Sequence, residues 1–195
     1  MKSTVKVVGD IQLPLITGEY SMLPFQMNDV STLPLVFQEI ASKMLTMANI
    51  PLEGIAFLTV HGKRLLSNQT LRRGGPHTDG NYDKSTMDWG GGWKVGENGP
   101  AVDTPEHARL YNTEGGGIIM ASNYEACHGW IGEYDGLPGV GGDCSKIVLP
   151  EPTLQLQRNT VYYGNNHFIH ESLPMKDDVH RVFARITLPA TNLFN

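Results

Sequence analysis

Short apolar runs broken by glycine and proline constrain this chain more than any other feature. With 22 glycines and 12 prolines among 195 residues, long regular elements are interrupted almost everywhere, which favours a loop-rich β fold over a helical bundle. One segment escapes the interruption. Over 35–48 the apolar residues Val36, Phe37, Ile40, Met44, Leu45 and Met47 recur at helical spacing. Ser31-Thr32-Leu33-Pro34 in front of it reads as the helix start, with a hydroxyl for the cap and proline in the first turn. The methionines in this helix read as core filling.

Beyond Pro51 the period changes to two. Ile55–Val60 reads as a buried strand, and 118–121, 130–134, 146–149, 154–157, 160–163, 168–170 and 181–188 as further strands, the last closed by Pro189. Before the helix, 5–8 reads as a short strand and 13–25 as a connection carrying Pro14, Pro24 and Met22. Residues 84–105 read as a long irregular loop, a type of segment often used as a lid or binding loop. One helix followed by about eight short strands with glycine-rich turns predicts a jelly-roll or cupin-like barrel. Neither a repeat nor a domain boundary is visible. The expectation is one domain, with N-terminal helical support over about 1–54 and a β core over about 55–189.

Composition limits the function classes. A chain of 195 residues can bury a core without staples. A net charge of -5 argues against a duplex nucleic-acid binder, whose affinity comes mostly from phosphate neutralisation. The local basic cluster Lys63, Arg64, Arg72 and Arg73 reads as a solvated face. Cys127 and Cys144, without a CxxC spacing, read as free thiols in a reduced compartment. Residues 1–10 carry Lys2 and Lys6 but no apolar run, and no stretch approaches the ~20 apolar residues of a spanning helix. A soluble, cytoplasmic protein without membrane contact is expected.

The chemistry concentrates at His77-Thr78-Asp79, set between Gly74-Gly75-Pro76 and Gly80-Asn81. Residues two apart on an extended segment share a face, so His77 and Asp79 can converge on one ion. The third ligand is His167 or His170. Alternation puts these two on opposite faces, and His170, which leads into Glu171-Ser172-Leu173-Pro174, is favoured. Two imidazoles and one carboxylate form the facial set that holds non-haem Fe(II) with positions left open. On the last strand Arg181, Phe183, Arg185 and Thr187 share one side. If that side is interior, the arginines need water or an anion, because a buried unpaired guanidinium costs several kcal/mol. If it is exterior, they are simply solvated. Tyr82, Trp89 and Trp93 are candidates for a substrate-facing wall, with plain loop packing as the alternative.

Taken together, His77-x-Asp79, His170-x-x-x-Pro174 and Arg185-Ile186-Thr187 resemble the Fe(II)/2-oxoglutarate-dependent dioxygenases, over roughly residues 55–189. That resemblance implies a double-stranded β-helix, Fe(II) on His77, Asp79 and His170, and the far carboxylate of 2-oxoglutarate on Arg185 and Thr187. Asn165 and the pair Arg181-x-x-x-Arg185 are similar to the taurine dioxygenase branch, in which Arg181 would take the carboxylate and Arg185 lie nearer the metal. The implied reaction uses O2 to hydroxylate a C–H bond as 2-oxoglutarate is decarboxylated to succinate and CO2. A carboxylate at Asp79, where related halogenases have a small residue, implies oxidation without halide. The expected substrate is a small molecule or a protein side chain rather than a nucleic acid. Two alternatives stay open. One is a cupin-like metal enzyme without 2-oxoglutarate, which the sparse histidines disfavour. The other is a jelly-roll binding module whose histidines are structural.

Overall fold

The computed structural model describes residues 1–79, 82–83, 88–89, 93–94, 115–139 and 142–194; of 82–83, 88–89, 93–94 and 190–193 it describes the strand backbone only. Helix α1 spans Leu35–Ala48 and buries Phe37, Ile40, Ala41, Met44, Leu45 and Ala48 on one face, as a 3.6-residue period requires. Its start differs from expectation. Val30–Thr32 form a separate 3-10 turn in which the Asp29 carboxylate accepts from the Ser31 N–H. Pro34 then occupies the cap position without any side-chain hydrogen bond, so neither hydroxyl caps α1. At the other end Asn49, in the left-handed region at φ 50, donates its N–H to the Leu45 and Thr46 carbonyls. Asparagine tolerates that conformation and ends the helix.

The described strands are β1 (Lys2–Ser3), β2 (Val5–Asp10), β3 (Gly18–Gln26), β4 (Ile55–Leu65), β5 (Tyr82–Asp83), β6 (Asp88–Trp89), β7 (Trp93–Lys94), β8 (Gly115–Ser122), β9 (Cys127–Trp130), β10 (Gly132–Glu133), β11 (Leu154–Gln155), β12 (Thr160–Gly164), β13 (Ile169–Ser172) and β14 (Val179–Leu193). Strand β14 is the spine of the larger sheet. It pairs antiparallel with β4 along 179–187 and with β8 along 183–188. From β8 the sheet continues through β12 to β2, and from β4 to β3. A smaller sheet has the order β11-β9-β13. Pairing is antiparallel except at one parallel bridge, Pro189 to Tyr82. Among the described residues the fold is therefore mainly β, with one α-helix and open antiparallel sheets.

Alternation along β14 sorts its side chains between two cores. Val182, Ala184, Ile186 and Leu188 join Leu58, Val60, Ile119, Ala121 and Tyr163 under α1. Phe183 faces the other way, with Met120, Tyr162, Cys127, Leu156 and Phe168, into the space between the two sheets. Arg181, Arg185 and Thr187 are buried as well, so a solvated outer face is ruled out for the arginines.

Several sequence expectations are corrected. The connection at 13–25 contains strand β3. Its Pro24 is compatible with pairing because β3 lies at the sheet edge, bonded to β4 alone. The N-terminal segment is more than a helical support, since β2 pairs with β12 and β1 with β10. Residues 146–149 form a turn and not a strand; Ile147 packs on Trp130, Cys144 and Ile169 while Val148 is 93% exposed. Strand β14 runs past Pro189 to Leu193. Within 84–105 the short strands β6 and β7 occur, with Trp89 opposite Trp93 in register, and the rest of that segment lies outside the described residues. Cys127 and Cys144 are both buried and unbridged. No helix among the described residues is long and apolar enough to cross a membrane.

Candidate metal centre

The site is built on the outer edge of β13. His170 and His77 form an antiparallel bridge, exchanging two backbone hydrogen bonds of 2.9 Å each. On its other side the motif segment pairs with residues 142–144, through Thr78 N–H to the Gly142 carbonyl at 2.9 Å and Cys144 N–H to the Pro76 carbonyl at 3.0 Å. Residues directly opposite across such a ladder present their side chains to the same face. The two imidazoles accordingly lie with ring centroids 4.6 Å apart. Asp79, two residues on, reaches the same place, and His77, Asp79 and His170 each offer a ligand atom within 4.8 Å of the others. The sequence reading of all three residues coincides with this cluster, and His170 rather than His167 is its third member.

Both histidines are orientated by backbone carbonyls. His77 Nδ1 lies 2.8 Å from the Gly75 carbonyl and His170 Nδ1 lies 3.1 Å from that of Phe168. A carbonyl only accepts, so each Nδ1 carries a proton and Nε2 is the ring nitrogen left to meet a metal, the orientation that ligating histidines need. His170 Nε2 lies 3.2 Å from Asp79 Oδ2. That oxygen is buried without a hydrogen-bond partner among the described residues. A proton shared between these two atoms or a metal ion bound by both satisfies the contact. The donor set fits a divalent metal of the Fe(II) type.

Electrostatics favour ligand-competent forms. Burial, reinforced by His170, pushes the His77 imidazole down to about 3, so it stays neutral. Burial alone would raise the Asp79 carboxyl, but the Arg185 guanidinium beside it outweighs burial and holds it well below the usual carboxylate range. Arg185 donates directly to Asp79 Oδ1. Its Nε, and the hydroxyl of Thr187 on the same face of β14, are buried without partners among the described residues.

A cleft of about 610 Å³ opens beside the cluster, within the size range of small-ligand sites. Ser21, Met22, Thr59, His61, Arg185 and Thr187 line it from β3, β4 and β14, together with Leu71, Arg72, Arg73, His77, Thr78 and Asp79. Arg181 does not line it. That side chain is fully enclosed, donating to Ser122 Oγ at 3.2 Å, Ser172 Oγ at 3.0 Å and Cys127 Sγ at 3.1 Å. Tyr82, Trp89 and Trp93 have their backbones in β5, β6 and β7, and their side chains lie outside what is described.

Two residues of the cleft were missed by sequence reasoning. Arg72 was grouped with a solvated basic face, yet it is partly buried, with its guanidinium 5.6 Å from the centre of the Phe183 ring. Burial and the nearby Arg185 lower it to about 10. His61 extends β4, which runs on to Leu65, so that it faces the cleft. Burial, then Arg72, push it down to about 4. The period-two pattern of β4 could have found His61, because Thr59 and His61 share a face opposite Leu58 and Val60.

Two measurable consequences arise here. Gly142 has φ +75, and a Cβ placed there would lie 2.0 Å from the Thr78 carbonyl oxygen. Gly142→Ala must push the His77–Asp79 segment off its partner, so if the cluster holds a metal its affinity, measured by titration, should fall about 10–100-fold, the range seen when the supports of metal ligands are lost. The second concerns acid. Folded His61 stays neutral down to about 4, against an ordinary value of 6.5, so below 6.5 the unfolded chain binds a proton that the folded chain refuses. Its contribution to stability is complete above pH 6.5 and is lost as pH falls towards 4. Urea denaturation of wild type and His61→Gln at pH 7 and 4.5 should show the smaller pH loss in the variant.

No protein-family model, curated protein or solved structure matches this chain.

Proposed function

We propose that this protein is an Fe(II)- and 2-oxoglutarate-dependent oxygenase that hydroxylates a C–H bond of a small molecule or protein side chain. The observation that carries this reading is the convergence of two Nδ1-anchored imidazoles and a carboxylate within 4.8 Å beside a cleft whose wall holds a buried arginine. In this reading the two antiparallel sheets are the halves of a double-stranded β-helix. His77, Asp79 and His170 hold the iron. Fe(II) with O2 supplies the oxidising chemistry, coupled to decarboxylation of the keto acid to succinate and CO2.

The chain's own residues have simpler tasks. The Gly75 and Phe168 carbonyls fix the imidazole tautomers. Arg185, with its unpartnered Nε, and the Thr187 hydroxyl hold a carboxylate of 2-oxoglutarate, a charge-assisted contact in a dry setting. Arg181, enclosed by Ser122, Ser172 and Cys127, supports the inter-sheet core instead.

One observation favours a second reading. Arg185 already balances Asp79, as in a jelly-roll binding module with a structural ion pair. Anaerobic titration with Fe(II) and 2-oxoglutarate separates the two. The oxygenase should develop the weak visible charge-transfer band of a chelated keto acid, and His77→Ala should abolish it. Wild-type protein that neither binds metal nor turns over 2-oxoglutarate overturns the oxygenase reading.

A further inference from the structure

The cleft holds a guanidinium, that of Arg72, which neither the metal cluster nor the Arg185 clamp uses. Arg72, Arg73 and Arg185 line it, against the carboxylates of Asp79 and Glu19. Asp79 is engaged by Arg185, and Glu19 lies 3.4 Å from Lys63. Among the described residues no carboxylate is bonded to Arg72. It meets one ring nitrogen, His61 Nδ1 at 3.3 Å, and the face of Phe183. A partly buried guanidinium of this kind is costly unless an anion meets it.

The neighbouring hydrogen bonds have a definite direction. A guanidinium only donates, so His61 Nδ1 accepts from Arg72. The ring proton must then sit on Nε2, which is 2.7 Å from Ser21 Oγ. Ser21 accepts there, which leaves its own proton to give. Arg72 and Ser21 both line the cleft and both contact the His61 ring, so a guanidinium fork and a hydroxyl donor are available to one ligand. The ring of Phe183 steadies the guanidinium plane from below.

We propose that Arg72 and Ser21, linked through His61, form a recognition site for the carboxylate of a small anionic substrate, separate from the cosubstrate clamp at Arg185. A planar fork matches a carboxylate in two parallel hydrogen bonds. The role as a substrate site rests on the oxygenase reading, whereas the anion binding itself does not.

The test uses benzoate as probe and benzamide as its neutral counterpart, with phenyl phosphate as a second anion. Affinities are measured calorimetrically on the metal-free protein and on protein loaded with Fe(II) and 2-oxoglutarate under nitrogen, while NMR follows the His61 ring. Benzoate should bind at least tenfold more tightly than benzamide in both states, more tightly than phenyl phosphate, and shift the His61 signals. Arg72→Gln should abolish the preference, and Arg185→Gln should retain it. Ser21→Ala, at an exposed side chain, should weaken benzoate severalfold even if Arg72→Gln does not fold. Equal binding of benzamide, or a preference that survives both Arg72→Gln and Ser21→Ala, overturns the proposal. Displacement of benzoate by 2-oxoglutarate also overturns it, by making Arg72 part of the cosubstrate clamp. Tighter binding of phenyl phosphate than of benzoate overturns the carboxylate assignment. If the charge-transfer band never forms but the Arg72-dependent preference persists, the anion site stands and the oxygenase reading falls.

Discussion

Asp79→Ala is expected to produce the largest combined loss of any single substitution in this chain. It removes one of the three proposed metal ligands, so metal affinity should fall by more than the ~10–100-fold that follows loss of a ligand's outer partner. It also strips Arg185 of the carboxylate it donates to. Arg185 is 6% exposed, and leaving a buried charge without its partner costs about 3–5 kcal/mol. His77→Ala should match the metal defect without the second penalty, because His77 is held neutral and no buried charge is orphaned. Metal titration and urea denaturation of the metal-free proteins check both halves. Equal stability of Asp79→Ala and His77→Ala would mean that the Asp79–Arg185 pair contributes nothing to the fold.

Arg181 should respond in the opposite pattern. Its side chain is 0% exposed and fills the space between β9, β13 and β14, with hydroxyl and thiol partners only among the described residues. Arg181→Ala should therefore cost about 2–5 kcal/mol, as other large-to-small core changes do. Arg181→Met, which restores most of the volume without the charge, should recover much of that loss, since apolar replacement of buried ionic groups is often tolerated. Arg185→Gln, by contrast, should act on the cosubstrate. It should raise the apparent 2-oxoglutarate requirement by far more than Arg181→Met does, when turnover is followed over a range of 2-oxoglutarate concentrations. The reverse order would assign the clamp to Arg181.

The contrast between these arginines shows how far the sequence could reach. Alternation along 181–187 put both on one face of a strand, and so it was. What alternation does not carry is the depth of each position between the sheets. Arg181 lies where β9 and β13 cover β14, with Ser172 against it from the preceding strand and Ser122 and Cys127 from strands distant in sequence. Arg185 lies where the covering sheet gives way to the cleft. The strand at 18–26 was hidden for a related reason. Its proline and its positive-φ Met22 are breaker signals locally, and only the edge position beside β4 makes them compatible with pairing. Val148 was misread in the converse way, since an apolar run without a partner strand stays a turn.

By itself the sequence determined the mainly β character, the helix at 35–48 and the His77, Asp79 and His170 set, because period and two-residue spacing are local geometry. Only the tertiary structure decided which carbonyls hold the imidazoles, which arginine meets Asp79 and that Arg72 and His61 line the cleft. Those facts depend on contacts across strands far apart in the chain. Burial and direction at such contacts, which set the charge and proton of each group, are written in the packing of two sheets and in no single segment.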